Sequence, residues 1–249
     1  VEETMVADVL QLKKQIDDDI LPMDKLDEIL LSRMFSTGKL HLGWNDRASG
    51  QKVVVRGDAF VKAILPFSSH FYDAEKAVFE YVSPHHVLAG AYYGVPKLSS
   101  DEGRSAADLL DSLSQTDHDE TARYVKIGDF MLYVAIEGKN RVSLYRQLNR
   151  EIGAKVFKST YPPSDHLQLV KTQPFGTIAL RYIGESQDIA NSVQGWQSLS
   201  ENLAAIPFEE SVRLLEAYGV KWGSSQWAFS APLTDRKIKL SICRRKYIR

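Results

Sequence analysis

The turn Glu137-Gly138-Lys139-Asn140-Arg141 has the composition to hold a phosphate. A strand-length run of apolar, β-branched and aromatic residues, Phe130 to Ile136, precedes it. Val142, Leu144, Tyr145, Leu148 and Ile152 follow at steps that line one helix face, with Arg146, Gln147, Asn149 and Arg150 on the other. A helix opening in such a turn leaves its first backbone N–H groups unpaired at the positive end of its dipole, and Lys139 and Arg141 add two cations beside them. Phosphate oxygens are stabilised in that setting. The same residues suit an ordinary solvated loop, because strand, glycine turn and amphipathic helix recur throughout mixed α/β proteins and this glycine pattern is sparser than a Walker-type loop. Gly153 reads as the end of the helix, and Ala154 to Phe157 as a second strand.

The elements that must position this turn come from a chain of 249 residues, 44% hydrophobic and 25% charged, enough for one large domain or a domain with an extension. A net charge of -1 excludes a uniformly basic nucleic-acid binder, and the single Cys243 excludes internal disulfides and multi-cysteine metal sites. With no apolar run of membrane-spanning length and no signal-peptide pattern, the expectation is a cytoplasmic protein without a membrane partner.

Met5, Val9, Leu12, Ile16 and Ile20 define one helix face, Pro22 breaks it, and Leu26, Ile29, Leu30 and Met34 define a second helix. The nine carboxylates of this pair against four cations make either a solvated outer face or an acidic surface for a protein partner or dimerisation. Asp17-Asp18-Asp19 lacks the alternating spacing of a calcium loop. Lys52 to Arg56 reads as a strand, Ala59 to Leu65 as a helix capped by Gly57-Asp58, and Asp73 to Tyr81 as a helix stopped at Ser83-Pro84. Adjacent histidines face apart on most backbones, so His85-His86 is not expected to ligate a metal; no metal site is expected elsewhere. Ser99, Asp101 or Ser105 can cap a helix through Ala106, Leu109, Leu110 and Leu113, with Ser114 to Glu120 as an exposed loop after it. Leu167 to Val170 and Thr177 to Tyr182 read as strands of the same sheet as the central unit, and Gly184 to Leu199 as a polar connector.

The last fourteen residues carry seven cations, Arg236, Lys237, Lys239, Arg244, Arg245, Lys246 and Arg249, and no acid. Alternation of Ile238, Leu240 and Ile242 suits an edge strand protected by lysines, while the density of charge around Tyr247 suits contact with a nucleic-acid phosphate backbone. Lys221 to Leu233, with Trp222, Trp227 and Pro232, does not read as a helix-turn-helix, which favours backbone contact over operator reading.

Gly138-Lys139-Asn140-Arg141 between its strand and helix resembles the phosphate-binding signature of the ParB/sulfiredoxin superfamily, with Gly138 and Arg141 matching and Lys139 standing where ParB has an acid and sulfiredoxin its thiol. Glu201-Asn202, Ile206-Pro207-Phe208-Glu209-Glu210 and Leu214-Leu215-Glu216-Ala217-Tyr218-Gly219 resemble the Glu-Asn motif and the following helix of ParB-type proteins. The resemblance runs over roughly Val82 to Val220. It implies an α+β fold, a small mixed sheet with packed helices, preceded by an N-terminal helical extension at 1–81 and followed by a basic segment at 221–249. It also implies CTP or ATP, with or without magnesium, on Gly138, Lys139, Asn140, Arg141 and Asn202, nucleic acid as partner, and a plasmid or other mobile element as source. Ala204 and Ala205 replace the glutamine and arginine that follow the Glu-Asn motif, leaving Glu137 and Glu201 as the carboxylates for any hydrolysis. Two other readings stay open: an NTPase or nuclease of that superfamily, and a protein-interaction module whose phosphate site is vestigial. Sulfinic-acid reductase chemistry is not expected, because no thiol neighbours Gly138.

Overall fold

The computed structural model describes residues 3–20, 55, 57–69, 76–89, 99–116, 121–173, 176–185, 198–200 and 202–227. They form a mixed α+β protein with two sheets, each in its own compact unit. The first unit takes residues 1–21, 41–58 and 68–161, and the second takes 22–40, 59–67 and 162–249.

The first unit begins with α1 (Glu3–Ile20), which buries Val6, Val9, Leu12 and Ile16 on one face. Lys13 lies on that same face with only 4% exposure; its ammonium meets Asp17 Oδ2 at 2.6 Å, and Asp17 Oδ1 accepts the Val55 amide at 2.8 Å. Helix α2 (Gly57–Ile64) starts in this unit and carries its apolar residues into the second. After it come β1 (Val78–Val82), a 3-10 turn at Pro84–His86, β2 (Val87–Leu88), α3 (Ser100–Thr116), β3 (Ala122–Ile127), β4 (Tyr133–Glu137), α4 (Lys139–Leu148) and β5 (Ile152–Ser159).

The sheet order is β1-β5-β3-β4-β2. β3 and β4 are an antiparallel hairpin, α4 carries the chain across to lay β5 parallel to β3, β1 closes one edge antiparallel to β5, and β2 runs parallel to β4. The alternation of β-branched and small residues explains which face is covered: Val82, Ala122, Tyr124, Ala135, Ile152, Ala154 and Val156 pack with Val142, Leu144 and Tyr145 of α4 and Ala107 of α3. Each large apolar side chain removed from water there contributes roughly 1.5–3 kcal/mol. Ser99 fixes the start of α3: its hydroxyl accepts the Glu102 amide at 3.3 Å, and Glu102 Oε2 accepts the Ser99 amide at 2.9 Å, a reciprocal capping box.

The second unit holds a 3-10 turn at Ser164–His166, β6 (Leu167–Gln173), β7 (Ile178–Tyr182), β8 (Ser198–Ser200), β9 (Leu203–Ala205), α5 (Glu209–Ala217), β10 (Lys221–Trp222) and β11 (Gln226–Trp227). Its strand order is β10-β6-β7-β9-β8, with β11 also pairing β6; β10 and β11 run parallel to β6, the remaining pairs antiparallel. Gly219, at φ 100, lets the chain leave α5 while the Val220 amide returns to the Leu215 carbonyl at 3.0 Å.

Several expectations are corrected. The stretch ending at Tyr81 is not helical at Val78–Val82 but is strand β1, because Val78, Phe79, Tyr81 and Val82 pair along β5 and tertiary pairing overrides local helix preference. Helix α4 ends at Asn149, which adopts the left-handed conformation at φ 49, and Gly153 lies inside β5. α3 continues to Thr116, through the first part of the expected loop. Leu167–Gln173 and Ile178–Tyr182 are strands, but of a second sheet that was not foreseen. Lys221–Trp222 and Gln226–Trp227 are short strands. The expected range 82–220 spans both units, whose long segments meet between Tyr161 and Pro162. The expected second N-terminal helix and nearly all of the Lys52–Arg56 strand lie outside the described residues. No described helix is long and apolar enough to cross a membrane.

Candidate phosphate-binding site

β4 ends at the exposed Glu137, which sits opposite Arg123 of β3, and the chain turns into α4 through Gly138. Gly138 has φ 76 and ψ 23, a left-handed conformation that costs an L side chain strain. Space is tight for a side chain as well: a Cβ there would stand 3.0 Å from Ala122 Cβ and 3.3 Å from Ala122 Cα. No side chain at the N-cap accepts the first amides of α4, and no acid lies in its first turn. The helix therefore presents its positive end uncapped by carboxylate or hydroxyl at that position. Lys139 and Arg141 are half-buried in this first turn, Asn140 is exposed, and the Arg141 amide reaches the Gly138 carbonyl at 3.0 Å.

Beneath the helix lies Tyr124. Its side chain is fully buried in the core shared with Val142 and Tyr145, and its hydroxyl has no hydrogen-bond partner among the described residues. Burial pushes that phenol well above its usual range, against the fields of Arg141 and Arg146. It therefore stays a neutral O–H donor at physiological pH, within electrostatic reach of two guanidinium groups. An unsatisfied buried hydroxyl costs on the order of 1–3 kcal/mol, which an acceptor oxygen would recover.

Arg146 is not on a solvated face as its spacing suggested. Its Nε donates to the Pro84 carbonyl at 2.8 Å and its Nη2 to the Val87 carbonyl at 2.6 Å, and burial lowers its pKa. The Pro84–His86 turn is thus clamped onto α4. The two histidines there diverge: His85 Nε2 lies 3.3 Å from Asn149 Oδ1, and His86 Nε2 lies 3.3 Å from Glu3 Oε1 on α1. Lys13 belongs to the same region; burial depresses its pKa, Asp17 opposes that, and Arg146 adds a smaller depression.

Of the residues expected at the site, Glu137, Gly138, Lys139, Asn140 and Arg141 are contiguous on one turn. Asn202 belongs to the second unit, where its Nδ2 donates to the Tyr182 carbonyl at 3.3 Å and its Oδ1 accepts the Ser200 hydroxyl at 3.1 Å. Glu201 and the cations from Arg236 to Arg249 lie outside the described residues. Sequence reasoning did not single out Tyr124. The available signal was its strand alternation with Ala122, which puts a phenol on the face that α4 must cover. Among the described residues, no group of three His, Cys, Asp or Glu side chains is arranged to hold a metal ion.

No family model, no curated protein and no solved structure matches this chain.

Proposed function

We propose that this chain is a nucleotide-binding protein of ParB/sulfiredoxin type that acts with nucleic acid, the nucleotide's phosphates seating on the first turn of α4. The observation that supports this most is the pairing of an uncapped helix start at Gly138 with the partnerless Tyr124 hydroxyl in the fields of Arg141 and Arg146. The residues suit a triphosphate: backbone amides to donate to its oxygens, a close backbone approach at Gly138, and the cations Lys139 and Arg141. Magnesium, with no protein cage among the described residues, would come with the triphosphate and meet Glu137 as the neighbouring carboxylate. Nucleic-acid contact is proposed for the cations from Arg236 to Arg249 on their charge density alone.

Thermal unfolding with and without millimolar CTP or ATP and magnesium tests the reading. A ligand present at about 100 times its Kd stabilises the folded state by about 2.7 kcal/mol. Arg141→Ala should abolish the shift and Tyr124→Phe should reduce it. Absence of any shift in the wild-type protein with CTP, ATP or inorganic phosphate refutes it.

A further inference from the structure

The two sheets expose four edges among the described residues, and three of them are very short. β2 and β10 have two residues each and β8 has three. Short edges are how monomeric sheets avoid pairing with other chains. The fourth edge, β1, is five residues long and pairs with β5 in uninterrupted register from Val78↔Val156 to Val82↔Ile152. It contains no lysine, no proline and no bulge, and Glu80 at its centre is the one guard such an edge carries. Its large apolar side chains face water on both sides of the sheet: Val78 is 52% exposed, Phe79 52% and Tyr81 66%.

The aromatic pair is set in place. Phe79 and Tyr81 stack edge-to-face with ring centroids 5.6 Å apart. Phe79 lies across Gly153 of β5, where a Cβ would stand 2.8 Å from Phe79 Cζ, so the absence of a side chain at Gly153 seats the ring. Both rings occupy the face opposite α4, while Val78, Glu80 and Val82 occupy the α4 face.

We infer that β1 is the site at which a second copy of this chain adds, β1 pairing antiparallel with β1 across a twofold axis to join two five-stranded sheets into one. The row of backbone N–H and C=O groups that no described strand pairs demands an extended strand, and β1 itself supplies the complement. With the axis at Glu80, Val78 faces Val82 of the second copy and Phe79 faces its Tyr81, so four aromatic rings gather on one face. The only unfavourable pair is Glu80 against Glu80 on the axis, and it lies at the partly exposed α4 face. The half-exposed rings and Val78 offer on the order of 200–300 Å² of apolar surface per copy, against roughly 800 Å² per partner in standard interfaces. The dimer is therefore weak.

Sedimentation of the full chain at rising concentration, up to about 200 μM, should show a monomer–dimer equilibrium. Glu80→Gln removes the like-charge pair and should tighten it roughly two- to fivefold, and Tyr81→Lys should leave a monomer. In a Cys243→Ser background, which removes the sole native cysteine, Glu80→Cys should form a covalent dimer on mild oxidation. Opposed Cα atoms in an antiparallel pair stand about 4.5–5.5 Å apart, within disulfide reach. Lys158→Cys, exposed on β5 away from the edge, should not. Wild type and Glu80→Gln both monomeric throughout, with no cross-link, overturn the proposal and leave the edge to a foreign strand. A Tyr81→Lys protein that dimerises as well as wild type also overturns it.

Discussion

The Tyr145 hydroxyl donates to Asp111 Oδ1 at 2.5 Å and so ties α4 to α3 from inside the core. The same hydroxyl lies 3.1 Å from the Ala107 carbonyl, and Arg150 reaches Asp108 at 2.6 Å and Asp111 at 2.5 Å. Burial first, and then the Asp111 hydrogen bond and charge, hold the Tyr145 phenol well above its usual range, so it donates at every physiological pH.

Tyr145→Phe should therefore lower stability by about 1–3 kcal/mol, because the ring still fills the core while a charge-assisted hydrogen bond is lost. Arg150 keeps Asp111 paired, which holds the loss to that one bond. Urea midpoints for the two proteins check this, and an unchanged midpoint would show that the bond contributes nothing net.

Gly138→Ala should cost about 1–3 kcal/mol from the left-handed backbone, with Ala122 in the way of the new methyl. If the turn also binds phosphate, its nucleotide-dependent stabilisation should fall with it. Denaturant curves with and without CTP separate the two effects.

Ser99→Ala should lower Tm by about 2–4 °C through loss of the cap. The hydrogen bonds from Ser99 depress the Glu102 carboxyl below its ordinary value, so the folded state holds this proton less tightly than the unfolded state. The associated stability is present above the unfolded carboxyl range and is lost as pH falls through the folded value. The gap in Tm between wild type and Ser99→Ala should accordingly be full at pH 7 and shrink in acid below about pH 4.

Phosphate release from CTP or ATP with magnesium should be slow. On the proposed ParB-type reading Lys139 stands where a carboxylate would accept a proton, and an ammonium has no lone pair to do so. Whatever turnover exists should fall in Glu137→Gln or Glu201→Gln, and robust release that survives both would show that other groups do the chemistry.

Local periodicity made α1 and α4 legible, since Val9, Leu12 and Ile16, and Val142 and Tyr145, are spaced for one face and are buried on it. Ser99 was legible only as one of three candidate caps with Asp101 and Ser105, and its exchange of hydrogen bonds with Glu102 decides between them. β1 was not, because Ala74, Glu75, Lys76 and Ala77 ahead of it favour helix, and the pairing that decides the matter comes from Ile152 to Val156 far along the chain. Lys13 was hidden too: a long cation is ordinarily solvated, and only Asp17 one turn on hinted at burial. The helix end was displaced by Asn149, which takes a conformation more often given to glycine. The division of the strands into two sheets is long-range information that no window of the sequence contains.

The interleaving of the two units along the chain bears on how the molecule can be made. Ala59 to Phe67 belongs to the unit whose sheet begins only after Pro162, so Phe60, Ile64 and Leu65 leave the ribosome long before β6 and β7 exist. Vectorial synthesis cannot finish one unit and then start the other. A nascent chain halted near Tyr161 would carry that apolar helix without its sheet, the kind of surface that chaperones hold until synthesis resumes.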